Sequence, residues 1–150
     1  MLGGQLGARE FFDPENEVRT RARQLAILIQ ETQSKGGVVV HTGAGISTSA
    51  GIPDFRGPNG VWTCQSRGDD LPKASLPFDQ ARPSFTHMAI LALHQAGLVR
   101  FVVSCNVDCL HIRSGLPREA LAELHGNCFA ERLSACSGMP FALCRAAPQI

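Results

Sequence analysis

An α/β fold, a parallel sheet carrying helices on its faces, is predicted by three features of the sequence. Two short apolar runs rich in β-branched residues, "VVVHT" (38–42) and "VRFVVS" (99–104), read as buried strands. A glycine turn, "GAG", follows the first run at once, and a helical pattern leads into the second. Strand, turn, loop, helix and strand in that order make a right-handed βαβ unit.

The elements follow in chain order. Residues 13–35 read as a helix: Asp13 then Pro14 is a cap followed by a first-turn proline, and Val18, Ala22, Leu25 and Ile29 recur at helical spacing. Gly36 and Gly37 end it. Arg19, Arg21 and Arg23 read as a solvated face rather than a basic patch. The first strand comes next, and then residues 52–83, which hold five of the nine prolines and little periodicity. They read as a long ordered loop or small insert, a feature that in compact domains is usually functional. A second helix fits 84–96, with Phe85, Met88, Ala89, Ala92 and Ala96 on one face and Gly97 as its terminator. From about 132, "RLSACSGMPFALCRAAPQI" has neither clear periodicity nor a motif.

The bulk numbers narrow the class. A chain of 150 residues, 44% hydrophobic and 18% charged, is expected to form one soluble globular domain. A net charge of +1 gives no general pull toward nucleic acid or membranes. No apolar run approaches the ~20 residues that span a bilayer. "MLGGQLGAREFFDPE" lacks the charged start and apolar core of a secretory signal, so an intracellular, reducing setting is expected. The six cysteines, at 64, 105, 109, 128, 136 and 144, then read mostly as reduced thiols. No C-x-x-C occurs to pre-form a zinc site.

Chemistry concentrates in "HTGAGISTSAGIPDFRG" (41–57). Gly43 and Gly45 make a G-x-G, while Thr48 stands where a dinucleotide fingerprint has its third glycine. Gly43 permits a tight turn off the strand, and Gly45 allows close approach of a phosphate. Ser47, Thr48 and Ser49 offer hydroxyls at a predicted helix start, a favourable place for an anion. An ordinary strand-to-helix turn accounts for the glycines equally well. A hydride-transfer site would need an acid at a second strand end about 20 residues on. Asp69 and Asp70 lie near that distance, but "SRGDDLPK" follows no strand, so a small oxidoreductase is the lesser reading.

Taken together, "TGAGIS", "GIPDFRG", "GVWT", "NVD", "LHIRSGLP" and "ELHGN" resemble, in order and spacing, the motifs of sirtuins, the NAD-dependent protein deacylases. The wording is most similar to the chromatin-associated class IV branch and covers about residues 10 to 131. The resemblance implies residues 1–131 as the N-terminal part of a sirtuin-type catalytic domain, a partial Rossmann-like sheet, and 132–150 as an unmatched tail. It implies NAD as cofactor, an acylated-lysine protein such as a histone as partner, and a nuclear address. The acyl group passes from lysine to the ADP-ribose moiety with release of nicotinamide. A base then deprotonates a ribose hydroxyl, work suited to a histidine, which ordinarily titrates near neutral pH. His125 of "ELHGN" matches that position.

The same resemblance places Asn106 and Asp108 in the nicotinamide pocket, where an amide and a carboxylate complement a carboxamide. Ile52, Asp54, Phe55 and Arg56 match the cofactor loop, with Phe55 shielding the reactive carbon and Arg56 reaching ribose or phosphate. Trp62 matches an aromatic along the cofactor, and Ala44 and Thr48 match further contacts. His41, His87, His94 and His111 read as structural.

Two departures fall in "SCNVDC", where the family reads "SQNVDG". Cys105 replaces a glutamine whose amide would bond the ribose. Cys109 replaces a glycine at a place expected to need close approach or an unusual φ. The family's structural zinc is also in question: Cys128, Cys136 and Cys144 are weak candidates in an incomplete zinc-ribbon module, with no paired spacing. A catalytically inactive fragment serving at most as an interaction module is therefore the alternative to a working deacetylase.

Overall fold

A computed structural model describes residues 6–130. Its centre is a three-stranded parallel sheet in the order β1 (Val38–Thr42), β2 (Val99–Ser104), β3 (Leu121–Glu123). The first two strands fall on the two predicted runs. β2 is central and well buried, whereas among the described residues β1 is an edge strand with Val39 and His41 exposed, not a strand covered on both faces. The register sets Thr42 beside Ser104 and Ser104 beside Glu123. All three strands therefore end at one level.

The N-terminal helix α1 (Glu15–Thr32) continues into a 3-10 turn, Gln33–Lys35, and stops where Gly36 and Gly37 take φ of 100° and 78°. Pro14, not Asp13, is the N-cap residue, and Asp13 instead pairs with Arg21 at 3.2 Å. Arg19 pairs with Glu15 and Arg21 with Glu17 one turn back, as on a solvated face. No residue of α1 is buried, and Val18, Leu25, Ile27 and Leu28 all face solvent. The helical spacing was legible; the surface it would cover is not supplied by the described residues.

The proline-rich segment contains one short helix, α2 (Val61–Arg67). Helix α3 (Phe85–Gln95) is capped by Ser84 and closed by Gly97 at φ 72°, and it packs on β2. Its buried face corrects the sequence expectation. Phe85 and Met88 point to solvent, while His87 and Ile90 are buried and Leu93 packs behind them. Ile90, Val99, Val102 and Leu116 form the core under the sheet, joined by Val40, Leu93 and Leu121. A second cluster, Ile52, Ala81 and Leu110, lies under the loop that follows β1. Full burial of Leu110 alone contributes roughly 2 kcal/mol. The four-residue α4 (Leu110–Arg113) begins in that cluster, and Arg113 ties down the loop by donating to the carbonyls of Asp79 and Ala81.

Candidate functional site

In a parallel sheet the loops beyond the carboxyl ends of the strands gather at one edge, and ligands bind in that crevice. Here the register carries the three motifs to that edge together. Ala44 lies two residues past Thr42, Asn106 two past Ser104, and His125 two past Glu123. The Cys105 amide donates to the Thr42 carbonyl and the Leu124 amide to the Ser104 carbonyl, extending the ladder just beyond the strands.

The turn after β1 is not an α-helix start. It consists of two 3-10 turns, Ala44–Ile46 and Thr48–Ala50, so the anion-binding helix N-terminus expected from the hydroxyl cluster is not formed. Between the two turns Ser47, 1% exposed, becomes the hub of a polar knot. Ser47 Oγ donates to Asp108 Oδ2 at 2.6 Å. Asn106 Nδ2 donates to the Gly43 carbonyl at 3.0 Å and to Ser47 Oγ at 3.3 Å. The other Asp108 oxygen accepts from the Leu110 amide at 2.9 Å. Asn106 and Asp108 are both buried, and each Asp108 oxygen keeps a second acceptor site. Ser47 stood in the sequence as one hydroxyl among three. Nothing in local spacing marks it out, because its partner is 61 positions away.

The glycines of the turn carry no duty to the fold. Gly43 has φ −142°, an ordinary extended angle, and Gly45 is not among the positive-φ residues. A Cβ built on either meets no atom within 4 Å. The tight-turn role expected of Gly43 is thus not what requires a glycine there. By contrast, Gly57 and Gly60 are required internally: a Cβ would stand 2.3 Å from Asp54 Oδ2 and 2.6 Å from the Phe55 carbonyl carbon, respectively.

Asp54 holds the following loop shut. Its Oδ1 accepts from the Gly57 amide at 3.1 Å, and its carbonyl accepts from Val61 at 2.9 Å. A cleft of about 300 Å3 places Thr48 beside Asp54, although the Thr48 hydroxyl is engaged by the Gly45 carbonyl. On the same loop Phe55 and Trp62 pack at 4.9 Å between ring centroids, and the Arg56 guanidinium lies 4.6 Å over the Trp62 ring. Both rings remain about two-fifths exposed, an open aromatic and cationic face.

His125 is exposed on the turn after β3. That turn is closed by the Gly126 amide to the Glu123 carbonyl and by Asn127 Nδ2 to Glu123 Oε1 at 2.8 Å. Burial pushes the Glu123 carboxyl above its usual range, against the Asn127 bond and the Arg118 charge. Cys105 is exposed at the end of β2. Cys109 is buried and has φ 65°, the one non-glycine with positive φ among the described residues, as the family's glycine foretold. Of the other histidines, His94 donates from Nδ1 to the Val99 carbonyl at 2.9 Å, a structural role. His87 and His111 are buried against each other, and burial holds both below the usual histidine range, His111 at about 4.

The zinc candidates fall mostly outside the described residues. Cys128 is exposed, Cys136 and Cys144 lie outside the described residues, and the described residues contain no group of three or more histidines, cysteines or acids able to hold a metal.

Comparison with known proteins fixes the kinship. The Sir2 family model matches residues 43–75 and 70–142, which include every motif of the strand-end edge. This chain belongs to the Sir2 family. Over 133 residues it is 58% identical to the NAD-dependent protein deacetylase SRT1 of Arabidopsis thaliana, covering 89% of this chain and 28% of that protein. Sirt6 of Drosophila melanogaster is 53% identical over 89% of this chain and 41% of its own length. Human sirtuin-7 is 51% identical over 83% and 30%, respectively. Among solved structures, a Sir2 homologue in complex with ADP-ribose matches with TM-score 0.52 and 29% identity, over 75% of this chain and 50% of that one. A Sir2 variant with a p53 peptide and NAD matches with TM-score 0.51 and 33% identity, over 67% and 45%. The Sir2-family chain therefore spans from about a quarter to a half of the proteins it resembles.

Proposed function

We propose that this chain carries the nicotinamide-ribose side of an NAD-dependent protein-lysine deacetylase. The observation that carries the reading is the pair Gly43 and Gly45. Neither backbone angles nor packing require glycine there, and the space a side chain would take lies open beside the Ser47–Asp108–Asn106 knot. A ligand whose sugar and phosphate approach the backbone closely gives those glycines a reason.

The residues present fit NAD. When bound, it supplies the ribose carbon to which the acyl oxygen of the substrate lysine transfers as nicotinamide departs. Asn106 and Asp108, buried and already ordered by their own hydrogen bonds, would hold the carboxamide. Phe55 screens the reacting carbon from water, and Arg56, held over Trp62, meets ribose or phosphate oxygens. Ala44 and Thr48 contribute contacts from the turn. His125 takes a proton from a ribose hydroxyl as general base. The partner is an acylated-lysine segment of a protein, a histone tail in a nuclear setting being the family-based choice. Residues 1–131 are the proposed catalytic-domain portion; the family match runs on to 142, into the stretch 132–150 for which no role is proposed.

A second reading, an inactive span, is favoured by Cys105, which stands where the family has the glutamine that would bond the ribose. One assay separates the two: nicotinamide release from millimolar NAD with an acetyl-lysine peptide, for parent and His125→Ala. Release by the parent that drops at least about a hundredfold in the variant supports the deacetylase, the size expected for loss of a general base. No release by the parent, in folded protein, supports the inactive span, and equal non-zero rates place the base elsewhere.

A further inference from the structure

Beneath the glycine turn lies a layer of side chains that the proposed reaction does not touch. At the start of the turn, Thr42 Oγ1 is 2.9 Å from His111 Nε2. At its end, Ser84 Oγ donates to the Ile46 carbonyl at 2.8 Å and is also 2.8 Å from His87 Nδ1. The two imidazoles then meet edge to face, centroids 4.8 Å apart and planes at 62°. Thr42, Ser84, His87 and His111 are all buried. Contacts thus run Thr42, His111, His87, Ser84, Ile46, and close a ring under residues 42–46.

Each histidine uses one nitrogen on this ring and leaves the other orphaned. The Ser84 amide donates to His87 Nδ1 at 3.2 Å, so Nδ1 is the bare nitrogen and the neutral ring carries its proton on Nε2. His87 Nε2 and His111 Nδ1 are buried without a hydrogen-bond partner. An orphaned buried polar atom is destabilising, and an apolar residue of similar volume would avoid it. That residue would also lose what the other nitrogens hold: His111 Nε2 bonds Thr42 Oγ1, and His87 Nδ1 accepts from the Ser84 amide and so sets Ser84 for its bond to the Ile46 carbonyl.

We propose that His87 and His111 are positioning residues that fix the two ends of the 42–46 turn and so aim Ser47 at Asp108. Their effect on cofactor binding rests on the NAD reading above. Their effect on the turn does not.

Amide hydrogen exchange of the full chain tests this, with Val102 in the central strand as internal standard. The reporters are Ile46, Ser47 and Ala50, whose amides bond the carbonyls of Gly43, Ala44 and Ser47. Thr42→Val removes one hydroxyl and keeps its shape. His111→Leu removes the ring, while His111→Gln returns an amide to the place of Nε2. His87→Leu and His87→Asn make the matching pair for Nδ1. Thr42→Val and both leucine variants are expected to speed exchange at Ile46 and Ser47 about tenfold relative to Val102. His111→Gln and His87→Asn should restore it to within about threefold of the parent. Trp62 fluorescence on titration with NAD should rank the variants in the same order. Unchanged relative exchange in Thr42→Val, or amide variants that behave as the leucine ones, would overturn the proposal. Should a leucine variant fail to fold, Thr42→Val and the amide variants still decide. A parent that binds no NAD defeats the NAD reading only, because the exchange ratios stand without ligand.

Discussion

Gly43 and Gly45 separate two kinds of constraint at the scale of single residues. Gly36, Gly97 and Gly126 take positive φ that the backbone itself demands, whereas these two take angles open to any side chain. Gly45→Ala should therefore leave the unfolding free energy within about 0.5 kcal/mol of the parent, alanine being at least as good as glycine in helical turns. The same methyl should weaken NAD binding at least about tenfold, seen as loss of the response of Trp62, the single tryptophan. Coupled loss of both stability and binding would show that the glycine serves the fold after all. Cys109 makes the opposite case. At φ 65° it bears left-handed strain of roughly 1–2 kcal/mol, partly offset by the greater freedom of an unfolded glycine. Cys109→Gly is expected to stabilise by about 0.5–1 kcal/mol in denaturant titration, and a destabilised variant would mean the thiol packs well enough to compensate. That strain was legible in advance, because the motif has glycine there. Ser47 and the histidine pair were not, since their partners are distant in sequence and no periodicity encodes them.

Elements were read well where one short pattern decided them. Both strands, the stop at Gly36 and Gly37, and the helix ending at Gly97 fall where apolar runs and glycines put them. The face of α3 was not. Phe85 and Met88 offered an apolar stripe, but the capping box turns Ser84 and His87 inward and carries Ile90 in with them. The cap bonds of Ser84 with His87 and the ring contact of His87 with His111 go with that burial, against the hydrophobic pattern. The third strand, three residues long, is too short for any alternation to show. On α1, the exposed Leu25 and Leu28 bury nothing among the described residues. Leu25→Lys with Leu28→Lys should change stability by less than about 0.5 kcal/mol and reduce self-association, as measured by sedimentation. A loss of several kcal/mol would reveal a surface of this chain that covers them.

For the molecule as a whole, acid should be destabilising through its buried histidines. His87 and His111 are lowered in the folded state, His111 to about 4, so the unfolded chain binds protons more readily below its own histidine range. Their stability contribution is complete above about pH 6.5 and declines as pH falls below it, for His111 down to about pH 4 and by at most about 1.4 kcal/mol per pH unit. Glu123 is raised and acts in the opposite sense, gaining stability as the pH falls through its folded range. Denaturation midpoints at pH 7, 6 and 5 should fall in sequence, and fall less in His111→Gln. A flat profile would mean that both rings are solvated enough to bind protons as they do in the unfolded chain.

The residues proposed to meet the cofactor gather at one edge, where Thr42, Ser104 and Glu123 end in register and lead to the glycine turn, Asn106 and His125. Titrating millimolar NAD into isotopically labelled chain and following backbone amide shifts tests that convergence most directly. The perturbed amides should cluster at 43–48, 105–108 and 123–126, with α1 and the open edge of β1 silent. Shifts confined to α1 or to β1, or none in folded protein at saturating NAD, would contradict a cofactor site at the strand ends.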